Sequence, residues 1–184
     1  MSRELNNLLD LAEQSYIRME AELLITACVH DGDLAPFNDL LQELVMAGPT
    51  SLFVLRDMYQ IIRTLKSQLG QEGQVVRQDL KQALLDFGIR LPDELIMRDP
   101  GSWWRNQELT REVQAAAKGM DQSSAVLVNE ICVDAANKVS KLARRLVLVN
   151  ELERAVQDWI SGLIYEHAHD YDALYFRERG LPEQ

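Results

Sequence analysis

The sequence predicts an all-α protein, a helical bundle of five to seven helices that ends in one long, heptad-patterned helix. Three observations carry this prediction. Apolar residues recur at spacings of three and four, and no alternating run is long enough to nominate a strand. Glycine and proline punctuate these runs at Gly32, Pro36, Gly48-Pro49, Gly70, Gly73, Gly88, Pro92, Pro100-Gly101 and Gly119. From 123 to 168 there is no proline and a single glycine, Gly162.

The first helix is expected over residues 4–29. There Leu5, Leu9, Ala12, Tyr16, Met19 and Leu23 recur at alternating steps of four and three, with acids between them. His30-Asp31-Gly32-Asp33 ends it and starts the next. Asp33 suits the N-cap, Pro36 is tolerated in the first turn, and Gly48 lies just past the end of a short second helix over 34–47. Thr50 or Ser51 can cap a third helix carrying Leu55, Met58, Ile62 and Leu65, which is expected to stop at Gly70. A fourth, over 74–87, is closed by Gly88, a residue that accepts the left-handed conformation at C′. Residues 89–106 read as irregular, with one helical turn at 93–97. Asn106 is placed to cap a helix that ends at Lys118-Gly119.

The last stretch is the most informative. Ala125, Val128, Cys132, Ala135, Val139, Leu142, Leu146, Val149, Glu153, Val156, Ile160, Leu163 and His167 fall on one heptad seam, and eleven of these thirteen are apolar. The early seam residues are small, as are Ala136 and Ala143 beside them, so two helices can approach closely there. A continuous helix of this length spans roughly 65 Å at about 1.5 Å per residue. A compact chain of 184 residues has a diameter on the order of 40 Å. The stripe is therefore expected to be covered by a second copy, giving a homodimer, unless the helix breaks near Asn150 or Gly162. The dimer seam is assigned to Val139, Leu142, Leu146, Val149, Glu153, Val156 and Ile160, with Glu153 as the polar position that sets the pairing. The chain then reads as a single helical domain: a body over 1–119, a pairing helix over 120–168 and a tail over 169–184.

Composition narrows the class. A hydrophobic content of 47% over 184 residues supports a folded core without staples. Two distant cysteines and a polar amino terminus favour a reducing, cytoplasmic setting, and the longest apolar run near that end is too short to span a membrane. Residues 1–50 carry nine acids and two bases, and residues 101–150 carry five acids and seven bases. Nucleic-acid binding by the whole surface is disfavoured, since phosphate contacts need clustered cations.

No motif fixes a reaction, and the sequence asks for no cofactor or metal. Cys28 and Cys132 have no basic neighbour in sequence to favour a thiolate and read as small core residues. Gly70-Gln71-Glu72-Gly73 lacks the Lys-Ser/Thr of a phosphate loop. His30-Asp31 and His169-Asp170 lack the upstream histidine that a His-Asp phosphohydrolase site needs. The tail Glu166-His167-Ala168-His169-Asp170-Tyr171-Asp172 holds one Glu-x-x-His spacing, Glu166 with His169, where a di-iron helical site needs a second such pair and two more glutamates; a homodimer supplying the missing half is the basis of a metalloenzyme alternative at 166–172. Two candidate partner surfaces remain. Lys138, Lys141, Arg144 and Arg145 form the densest basic cluster, with Lys138, Lys141 and Arg145 on one helix face. Trp103-Trp104-Arg105 presents the residue types enriched at interfaces. The expected function is that of a non-enzymatic interaction protein, a regulator, adaptor or assembly factor with an unknown protein partner. A nucleic-acid-binding regulator using 138–145 is the alternative.

Overall fold

A computed structural model describes residues 3–46, 51–92 and 107–166. Among these residues the structure is an all-α bundle of five helices with no strand: α1 (Arg3–Asp31), α2 (Ala35–Met46), α3 (Ser51–Asp86), α4 (Gln107–Ala117) and α5 (Gln122–Glu166). None of them is long and apolar enough to cross a membrane. Asn106, Thr50 and the turn expected at 93–97 lie outside the described residues.

Two helix ends follow the sequence closely. The Gly32 N–H donates to the Cys28 carbonyl at 2.9 Å with φ of 78°, a left-handed stop for α1. At the end of α3 the Ile89 N–H reaches the Leu84 carbonyl (2.9 Å) and the Gly88 N–H reaches that of Leu85 (2.8 Å). This paired arrangement needs the φ of 77° at Gly88, and it tucks Ile89 against the core beside Leu84. Between α1 and α2, Asp33 Oδ1 accepts from the Ala35 N–H at 2.9 Å, the cap expected there.

The third and fourth helices are one. α3 runs without interruption through Gly70 and Gly73, neither of which takes a positive φ. A helix-interior glycine costs only about 1 kcal/mol relative to alanine. Leu69 and Leu80 on either side are buried, and their burial carries the helix across. The fifth helix is likewise continuous past Asn150 and Gly162. Its start differs from expectation by a cap: Asp121 accepts at Oδ1 from the Ser124 N–H (3.0 Å) and at Oδ2 from the Ser124 hydroxyl (2.6 Å).

The chain divides into two compact units, and each takes part of both long helices. The first unit comprises residues 1–65 and 148–184, the second residues 66–147. In the first, α1 packs on α2, and the buried side chains include Ile25, Phe37, Leu41, Leu55, Met58 and Ile62. Gln157 on α5 donates to the Tyr59 hydroxyl on α3 at 2.8 Å. In the second, Leu80, Leu84 and Ile89 join Val113 of α4 and Val128, Ala135 and Val139 of α5 in one core cluster.

The seam of α5 is therefore covered from within. Val139, Leu142, Val149 and Val156 are buried in the single chain, and Leu146, Glu153 and Ile160 are half-buried. No second copy is needed to take this stripe out of water, because α3, unbroken at its glycines, is itself long enough to supply a partner helix in each unit. Glu153 is not an isolated charge there. His167 lies outside the described residues.

Two predictions follow from these ends and interiors. A Cβ built at Gly70 or Gly73 meets nothing within 4 Å, so Gly70→Ala and Gly73→Ala should each raise stability by about 0.5–1 kcal/mol. Gly88→Ala, forced into φ of 77°, should lower it by about 1–2 kcal/mol. Urea midpoints read both signs. The Asp121 carboxyl is held below its ordinary 3.8 by its hydrogen bonds from Ser124. Its capping contribution should be complete above that ordinary value and disappear as pH falls through the lowered native one. Asp121→Ala should accordingly melt at lower temperature than wild type near neutrality, with the gap closing in acid.

Candidate interaction groove

The basic strip on α5 forms one wall of an open groove in the second unit. Lys138, Lys141 and Arg145 line it together with Leu142. The facing wall is α3, which contributes Gln68, Gln71, Glu72, Val75 and Val76. The space is about 810 Å³. Arg144, expected with this cluster, points elsewhere and is exposed.

Helical spacing explains both walls. Positions 138, 141 and 145 step by three and four, so the three cations stack on one face of α5, beside the buried residues Val139 and Leu142. Positions 68, 71, 72 and 75 do the same along the flank of the α3 stripe. The sequence contained the signal for this wall. Ile62, Leu65, Leu69, Val76 and Leu80 keep helical register across Gly70 and Gly73, which reading the glycines as terminators obscured.

The groove floor is apolar and its rim is charged. Val75 is 54% exposed, leaving apolar surface that a partner can cover. Lys138 pairs with Asp134 at 2.7 Å, and that hydrogen bond and charge, with Asp79 adding, hold its ammonium above the ordinary 10.5. Among the described residues neither Lys141 nor Arg145 has an ion-pair partner. Beyond Val76 and Lys138 a smaller recess of about 350 Å³ continues along the same two helices, and it is edged by Asp79, Glu130 and Asp134. The channel thus runs from a cationic end to an anionic one.

No known protein family, curated protein or solved structure matches this chain. The reading rests on its own residues.

The other candidates stand as follows. Trp103, Trp104 and Arg105, and the tail from His167 onward, lie outside the described residues. Glu166 ends α5, and among the described residues no three metal-ligating side chains come together. His30 Nδ1 lies 2.9 Å from Asp31 Oδ1 on an exposed helix end. Gly70-Gln71-Glu72-Gly73 is helix rather than a phosphate-binding loop. Arg77, a buried cation on the α3 face that carries Leu80 and Leu84, was not foreseen.

Cys28 is buried and Cys132 half-buried, both as free thiols. Burial is the leading cause that raises each above the ordinary 9.0. The thiolate fraction at neutral pH is correspondingly small. A disulfide reagent should modify both thiols of the native protein more slowly than free cysteine at the same pH, with urea removing the protection. Fast native labelling of either would contradict the packing described.

Proposed function

We propose that this chain is a non-enzymatic interaction protein that holds an acidic amphipathic helix of a protein partner in the groove between α3 and α5. The observation that carries the reading is the pairing of an exposed apolar floor at Val75 with two uncommitted cations, Lys141 and Arg145, along one helix face. Apolar contact supplies affinity for such an occupant, while the cations select its flanking charges and orient it. A phosphate backbone matches less well, since it offers nothing to the apolar floor at Val75 and Val76. Two free thiols support a cytoplasmic, reducing setting.

The test is purification of the full chain from its native host, beside a variant carrying Lys141→Glu and Arg145→Glu. The reading expects a stoichiometric chain, either another protein or an untagged copy of this one, to accompany a tagged wild type and to be lost from the variant, whose helical content and melting temperature stay unchanged. A partner retained by the variant removes the groove as the docking site. A companion destroyed by nuclease supports the nucleic-acid alternative instead.

A further inference from the structure

We infer that the groove receives the outer stripe of α1 from a second copy of this chain, an inference that rests on reading the groove as a docking site. α1 is apolar on two faces. Ala21, Ile25, Cys28 and Val29 are buried in its own unit, whereas Tyr16, Met19 and Leu23 are 56%, 52% and 65% exposed. The latter three step by three and four, so they form a continuous stripe opposite the buried face. Whatever covers them comes from outside the single chain as described.

Charge identifies the occupant. Glu20 and Glu22 border the stripe on its two sides, and the Tyr16 hydroxyl donates a hydrogen bond to Glu20. α1 as a whole carries six acids against two Arg residues, so a second α1 laid against it adds acid to acid. The groove offers the opposite: Lys141 and Arg145 over Val75, Val76 and Leu142. Dimensions agree as well. Tyr16 to Leu23 and Lys138 to Arg145 are both seven residues apart, about 10.5 Å along a helix. The homodimer expected from the α5 seam thus returns by a different surface, with each copy offering a complement to the other.

Sedimentation velocity on the full chain tests this. Wild type should self-associate in the micromolar range and associate more weakly as salt rises from about 0.05 to 0.5 M, which screens the rim charges. Glu20→Lys with Glu22→Lys should leave a monomer, and so should Lys141→Glu with Arg145→Glu. All four positions are at least partly exposed, so circular dichroism should match wild type. Mixing the two charge-reversed proteins should restore association, since each then meets its complement at both surfaces. Leu23→Ser should weaken wild-type association about tenfold, the loss expected for removing one leucine from an apolar contact. A monomeric wild type at about 100 µM, association that survives either reversal, or a mixture that stays monomeric overturns the inference. If it fails while the native-host partner still depends on Lys141 and Arg145, only the identity of the occupant is wrong. If that dependence is also missing, the groove reading falls with it.

Discussion

The constraint from which the rest follows is the need to cover an apolar stripe on α5, a helix of 45 residues. Val128, Val139, Val149 and Val156 recur along it, and each such side chain left in water costs on the order of 1.5–3 kcal/mol. No single short helix can meet that demand. α3, at 36 residues, supplies a wall in both units. In the second unit the two run antiparallel: positions 68–76 face 138–145, and positions 76–83 face 130–138. The small residues Cys132 and Ala135 sit within the core cluster there, and their size suits the close approach that such pairing requires.

What could be read from sequence divides along a physical line. Local signals were legible: the Asp33 cap, the end of the first helix around Gly32 and the left-handed stop at Gly88 depend on a few neighbouring residues, and the structure places them as expected. Gly70 and Gly73 look the same in sequence and behave differently, because what carries a helix through a glycine is the burial of residues on either side, Leu69 and Leu80 among them. That is a tertiary effect on a local propensity. The second copy was expected on a separate ground, an apolar stripe that outruns a compact chain of this size; α3, continuous through both glycines, covers part of that stripe from within.

The groove shows the same division. Its cationic wall was visible because Lys138, Lys141 and Arg145 share one helix face, a matter of spacing alone. Its other wall, Gln68 to Val76, lies some 70 positions earlier in the chain, and only the pairing of α3 with α5 brings it there. For α1 the alternating stripe from Leu5 to Leu23 was plain, but not its direction. A helix apolar on two faces gives no local sign of which one enters the core, and Tyr16, Met19 and Leu23 prove to be the outer set.

The electrostatics bear on how such a surface works. Lys138 is committed to Asp134 on its own helix, so the strip of cations is in practice Lys141 and Arg145 at one end of a channel whose other end is acidic. Exposed pairs of this kind each contribute roughly 0–1 kcal/mol, too little to hold a helix in place. In the proposed complex adhesion would come mainly from Val75 and Val76, whose contacts are indifferent to direction. Direction would come from the charge reversal along the channel, since a helix laid the wrong way would set its acids against Asp79, Glu130 and Asp134. For an occupant of the kind proposed, apolar floor and polar gradient would divide the labour, one giving strength and the other orientation.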